Sequence, residues 1–272
     1  MSYAVLEKSL TELSLDKLAR AFERLQGLTK QDAIVRARDA SGVLATHLSQ
    51  AEAGLLCEVL RAEGVAALAV DQDSLPSLPK ARALRRVVPR NDALVIYDPL
   101  GREEKIGWSQ VTLLAAGNVN EIDFRRARID RELMRDSRVP VGLTDLEAKQ
   151  SIRLHLVLEM LLSCEPRRCY VEGNTFSYEY LAERRSNRSA DNFVAFVRDV
   201  VRRATRAVHN RGAELLRADP PKVMTYPSRH AFEQEIVWQL WSRAATPGMR
   251  TEAGLPRRDG PRGGAPSWTG RA

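Results

Sequence analysis

The residues able to do chemistry in this chain are few and scattered. Four histidines stand at 47, 155, 209 and 230, and three cysteines at 57, 164 and 169. No two histidines have the spacing that would place them on one metal, and none has a nucleophile and a carboxylate near it in sequence. His155 and Glu159 are the nearest approach to a pair. Four residues along one strand face put them about 13 Å apart at ~3.3 Å per residue, too far to act on one atom. Cys164 and Cys169 have no second cysteine pair or histidine cluster with them, so no zinc site is expected. Cys57 falls between Leu56 and Glu58 beside an apolar helix stripe and reads as a small core-edge residue. Neither a G-x-G-x-x-G nor a G-x-x-x-x-G-K-[ST] phosphate loop occurs, and neither a G-x-S-x-G elbow nor an H-E-x-x-H helix is present. The expectation is a protein without catalytic residues, metal ligands or cofactor.

The other chemical feature is arginine. Lys+Arg total 42 against 35 Asp+Glu, a formal net charge of +7, and only seven of the cations are lysine. Arg198, Arg202 and Arg206 recur every four residues, the spacing of one helix face. Arg184, Arg185 and Arg188 precede them. Together they read as a basic ridge for phosphate, an acidic protein or anionic lipid, or else as the solvated side of a core helix. Aromatic residues do not alternate with the ridge, as a platform for stacked bases would require.

The elements that must position these residues follow from apolar spacing. Tyr3 to Leu6 is a short strand. Ser14 caps a helix with Leu15, Leu18, Ala19, Phe22 and Leu25 on one face, and Gly27 ends it. Thr29 caps a second helix bearing Ala33, Ile34 and Ala37. After Gly42, Val43 to Thr46 is strand-like. Ser49 with Glu52 forms a capping box for a third helix carrying Ala53, Leu56, Val59 and Leu60. Gly64 stops it, and Val65 to Val70 closes the segment.

The runs Ser49-Gln50-Ala51-Glu52-Ala53 to Leu60, Glu63-Gly64-Val65, and Gly27-Leu28-Thr29-Lys30-Gln31-Asp32-Ala33 resemble the C-terminal domain of the bacterial ribosomal stalk protein. The likeness spans residues 1–72 and implies a small α/β domain. That family engages translation factors through lysines of its second helix. Aligned on Asp32-Ala33, those positions hold Gln31 and Ile34, so the role is not carried over. The same fold serves as an adaptor for a bacterial Clp protease, which implies a docking platform.

Residues 73–81, with Pro76 and Pro79, read as a linker. Strands are expected at Leu84 to Val88, Ala93 to Tyr97, Lys105 to Trp108 and Val111 to Ala116. Asp98-Pro99-Leu100-Gly101 supplies a turn. Leu94-Val95-Ile96-Tyr97-Asp98-Pro99-Leu100-Gly101, followed by Ile106-Gly107-Trp108-Ser109-Gln110-Val111, resembles bacterial pleckstrin-homology-like domains. The likeness covers residues 82–208 and implies a β-barrel plugged by its last helix.

Residues 118–150 interleave Arg125, Arg126, Arg128, Arg131, Arg135 and Arg138 with Glu121, Asp123, Asp130, Glu132 and Asp136, the pattern of a charged insertion. Ser151 to Ser163 alternates strictly. Ile152, Leu154, Leu156, Leu158, Met160 and Leu162 predict a core face, opposite a mixed face with His155 and Glu159. Ser189 is the expected cap of a long helix with Phe193, Phe196, Val197, Val200, Ala204 and Val208 inward. A final helix, Ser228 to Ser242, carries Phe232, Ile236, Leu240 and Trp241, and Trp238 with Trp241 reads as its packing anchor. Residues 244–272 are rich in Gly, Pro, Arg and Ser, the composition of a disordered basic tail.

The expected fold class is α+β: a stalk-like α/β domain (1–72), then a pleckstrin-homology-like barrel with C-terminal helices (82–243). No run approaches the ~20 apolar residues that span a bilayer, and no secretory signal is read at the start. Few, oddly numbered cysteines point to the cytoplasm. The expected function is a non-enzymatic protein-interaction or adaptor module in a bacterial cytoplasm, its partner another protein. The alternatives are association with nucleic acid or anionic lipid through the ridge, and an enzyme with a site of unfamiliar form.

Overall fold

A computed structural model of the chain describes residues 1–10, 13–25, 27–122, 152–163 and 167–245. The first unit is β1 (Tyr3–Glu7), α1 (Leu15–Phe22), α2 (Lys30–Asp39), β2 (Val43–Leu48), α3 (Gln50–Ala62) and β3 (Ala67–Asp71). Its sheet has the order β2-β1-β3, with β1 antiparallel to both neighbours.

Local chemistry sets the helix ends. Thr29 Oγ1 accepts from the Asp32 backbone N–H while the Asp32 carboxylate accepts from that of Thr29, and Ser49 and Glu52 do the same at α3. Each box satisfies two N–H groups that a helix start leaves without partners. Both carboxylates consequently ionise more readily than usual: hydrogen bonds from Thr29 lower the Asp32 pKa, and those from Ser49 lower that of Glu52. Ser14 precedes α1 but makes no capping bond through its side chain. Leu18, Phe22, Ala33, Ala37, Leu56 and Leu60 then pack with Val5 and Leu44 on one face of the sheet.

The second unit opens with β4 (Ala81–Ala83), β5 (Val87–Pro89), β6 (Ala93–Tyr97) and β7 (Glu103–Gly107). It continues with β8 (Val111–Ile122), β9 (Ile152–Leu162), β10 (Arg167–Glu172) and α4 (Ser189–Arg203). β11 (Val208–His209), α5 (Arg211–Arg217), β12 (Thr225–Tyr226) and α6 (Arg229–Ala245) complete it. β5-β6-β7 is an antiparallel meander; β11-β8-β9-β10-β4 is a larger sheet, with β12 also beside β8. The class is α+β. Among the described residues these strands form separate sheets and no closed barrel.

Several sequence expectations shift. β8 runs to Ile122 and pairs with β9 from Val111↔Leu162 to Ile122↔Ile152, so residues 118–122 are strand and not insertion. The rest of 118–150 lies outside the described residues, as does the tail beyond Ala245. The linker read at 73–81 begins as a helical turn at Gln72–Ser74 and ends inside β4. The strand expected over Leu84 to Val88 is interrupted, because Leu84 donates its N–H to the Tyr170 carbonyl of β10 before the chain turns into β5. Ser189 is the first helical residue of α4, not its cap. The cap position is Arg188, which makes no capping bond through its side chain; the preceding turn is held by Asn192, whose Oδ1 accepts the Ser186 backbone N–H and whose Nδ2 donates to the Ser186 carbonyl.

From Val157 to Leu162, β9 is buried on both faces. Leu158, Met160 and Leu162 pack with Phe193, Phe196, Val197 and Val200 of α4 and with Leu94, Ile96 and Ile106 of the meander. On the face read as mixed, Val157 and Leu161 pack with Leu113, Tyr226, Phe232 and Ile236. α6 therefore covers the second unit's sheet. Its Val237, Trp238 and Trp241 also pack on the far side of the first unit's sheet, against Ala4, Leu6 and Val43. One helix is the shared wall of the two units. Gly42 makes this close approach possible: a Cβ there would lie 2.6 Å from Trp238 Cβ, and its φ of +73° is one that glycine adopts freely.

Candidate functional site

The seam between the two units holds the densest set of polar side chains. Glu235 projects from α6 and is fully buried. Its Oε1 accepts the Arg211 backbone N–H at 2.9 Å. Its Oε2 accepts from Arg211 Nη2 at 2.9 Å, Tyr226 Oη at 3.1 Å and Ser41 Oγ at 3.3 Å. Tyr226 Oη in turn accepts from Asn210 Nδ2 at 2.8 Å, and Asn210 Oδ1 accepts the backbone N–H groups of Ala116 and Ala213. Glu7 of β1, also buried, accepts the Gly42 N–H at 2.8 Å. The network ties β8, α5, β12, α6 and the α2–β2 turn together. Buried polar groups must be paired in this way, since an orphaned one costs about 1–3 kcal/mol.

Electrostatics follows from the pairing. Burial works against the Arg211 charge, but the hydrogen bonds and negative charge of Glu235 outweigh it and raise the Arg211 pKa. Burial, with the Glu235 charge, pushes the Tyr226 phenol well above its ordinary range. Neither group is poised to exchange protons near neutral pH.

Beside the network opens a cleft of about 250 Å³. Leu13, Leu15 and Ala40 line it from the first unit; Met224, Tyr226 and Pro227 line it from the second. Arg38 stands at the rim, exposed, and makes no ion pair among the described residues. The seam was not visible in sequence. Its one signal is Glu235, an acid set between Phe232 and Ile236 on an otherwise apolar helix face.

A second cluster sits under the N-terminal half of α6. Arg168 and Glu159, both buried, join at 2.7 Å, and Arg229 and Glu233 of α6 complete the set with short contacts to Glu159 and Arg168. Glu159 thus serves an ion-pair network and not His155, which instead meets Glu172 at 2.8 Å.

The arginines singled out in the sequence do not form one ridge. α4 ends at Arg203, so Arg206 lies in the turn beyond it and the four-residue repeat breaks there. Arg184 and Arg203 both close on the buried Asp199, at 2.7 Å and 3.8 Å, and Tyr180 donates to the same carboxylate. Arg198 lies 3.7 Å from Asp219. Arg185, Arg188, Arg202 and Arg206 are exposed and outside any ion pair among the described residues. The helix separates the first two from the last two by about 20 Å, at ~1.5 Å per residue. His209 pairs with Glu214 at 2.7 Å, and His230 with Gln234 at 3.0 Å. Cys164 lies outside the described residues. Among the described residues, no three His, Cys, Asp or Glu side chains converge as metal ligands, and no helix is long and apolar enough to cross a membrane. No protein-family model, curated protein or solved structure matches the chain.

Proposed function

We propose that this protein is a non-enzymatic adaptor of the bacterial cytoplasm that docks a segment of another protein in the cleft at the seam. One observation carries the reading: the Glu235–Arg211 pair is committed to Ser41 of the first unit, while apolar walls and Arg38, exposed and in no ion pair among the described residues, line the cleft beside it. Apolar walls take an apolar side chain, and a rim guanidinium takes a carboxylate, the division of labour of small protein-recognition pockets. The matching segment carries one apolar side chain next to an aspartate, a glutamate or a chain terminus. The strand–helix–helix–strand–helix–strand order of residues 1–72 supports the stalk-like reading of the first unit. The meander packed on α4 supports the pleckstrin-homology-like reading of the second. Both families present surfaces to partners.

The test is selection from a random peptide display library, with Arg38→Glu and Ala40→Trp as counter-targets. Selected peptides are expected to pair an apolar residue with an acid and to lose at least about tenfold in affinity for Arg38→Glu. Peptides that bind both variants as well as the parent chain would overturn the reading.

A second reading, binding of nucleic acid or anionic lipid, draws on Arg185, Arg188, Arg202 and Arg206, whose charges no acid offsets. Such binding weakens steeply with salt as counterions are released. The triple reversal Arg198→Glu, Arg202→Glu, Arg206→Glu abolishes it; unchanged binding eliminates it.

A further inference from the structure

β3 is the edge of the first unit's sheet, and it is regular. Its pairing with β1 runs without a break from Tyr3↔Asp71 to Glu7↔Ala67. Lys8 N–H donates to the Ala66 carbonyl at 3.0 Å, and Gln72 N–H to the Ser2 carbonyl at 2.9 Å. Antiparallel partners alternate, so Leu68 and Val70 also turn their backbone groups to β1. Ala67, Ala69 and Asp71 turn theirs away, to the free side. Ala69 is exposed, and the alanine side chains leave the backbone beside them open. No charged residue or proline interrupts the strand before Asp71.

The other described edges are blunted. β2 has two register breaks, and His47 within it holds a φ of +59°. β7 carries Glu103, Glu104 and Lys105. β4 and β5 are three residues long, with Arg82 in one and Pro89 in the other. β11 and β12 have two residues each. Charges, proline, bulges and shortness are the devices that keep strand edges from pairing; β3 has no bulge or proline, and its one charge stands at its last residue, Asp71.

Charge gives the edge a direction. Lys8 follows Glu7, the partner of Ala67, and donates its backbone N–H to Ala66, so it stands at the Ala67 end of β3. It forms no ion pair among the described residues. Asp71 and Asp73 mark the opposite end, and the Asp71 carboxylate accepts the Asp73 N–H at 3.0 Å. An edge basic at one end and acidic at the other complements its own antiparallel copy.

We propose that β3 pairs antiparallel with β3 of a second copy of this chain, about a twofold axis at Ala69, joining two three-stranded sheets into one of six strands. In that register Ala69 opposes Ala69 of the other copy and Ala67 opposes Asp71. Ala67 and Ala69 have their backbone groups on the free side; so does Asp71, whose carbonyl accepts from Ser74 Oγ at 2.6 Å and takes the ladder bond as a second. The acidic end of each strand meets the Lys8 end of the other. The pairing leaves the seam cleft out of account and stands whether or not a peptide docks there.

Light scattering on the full chain over a dilution series is expected to show a monomer–dimer equilibrium. Hydrogen exchange at the Ala67, Ala69 and Asp71 amides is expected to slow as the dimer forms. Ala69→Lys, which sets two ammonium groups face to face, raises the dimer dissociation constant by at least about tenfold. Asp71→Lys weakens the dimer, and Lys8→Asp in the same chain restores it; this pair decides the matter should Ala69→Lys fail to fold by circular dichroism. A chain that stays monomeric throughout, a dimer whose Ala69 amide exchanges at the monomer rate, or folded variants that dimerise like the parent would each overturn the proposal.

Discussion

At the scale of single residues, the chain uses charge chiefly to hold itself together. Glu233 shows how. Burial opposes its ionisation, but the hydrogen bond and charge of Arg168, with the charge of Arg229, outweigh burial and lower its pKa below the ordinary range of a glutamate. A carboxylate whose folded pKa lies below its unfolded one stabilises the fold above the unfolded value and loses that contribution as pH falls through the folded value. Glu233→Gln is therefore expected to be less stable than the parent chain at neutral pH. The gap should close on acidification below about pH 4.5, as read by urea melts over a pH series. Asp199 closes on Arg184 and Arg203, which takes Arg184 out of the basic surface expected from the sequence.

At the scale of elements, α6 decides the most. Its apolar residues point two ways, Phe232 and Ile236 to β8 and β9, and Trp238 and Trp241 to the first unit's sheet. Between them the buried Glu235 holds Arg211. Removing one partner of a buried pair strands the other, at a cost of about 3–5 kcal/mol. Glu235→Ala is expected to lose stability on that order in chemical denaturation. A loss under about 1 kcal/mol would show that water replaces the carboxylate at Arg211 without penalty. β8 and β9 make the complementary point. Alternation fixed their inward residues, yet the strand rule says nothing of what covers the outer face, and α6 covers it.

For the whole molecule, two units share one wall and are expected to unfold together. Thermal unfolding of the parent chain should give coincident transitions in the far- and near-ultraviolet circular dichroism. Trp238→Ala takes away the indole that fills the space above Gly42 and the bond from Trp238 Nε1 to the Glu7 carbonyl. It should separate the two transitions. Coincident transitions in a Trp238→Ala chain that still folds would show that the network around Glu235 couples the units by itself.

What the sequence determined alone was whatever depends on near neighbours. The capping box at Ser49 and Glu52, the stop at Gly64 and the alternation of β9 are all set within a few residues, and each stands where those residues put it; helical spacing overran at Val208, which belongs to β11 and not to α4. What only the tertiary structure decided was every pairing across long separations. Glu235 meets Ser41 across 194 residues, and Trp238 meets Glu7 across 231. The seam cleft, the fate of the arginines and the bare edge of β3 depend on such pairings, because a side chain's partner is fixed by packing in space and not by its place along the chain.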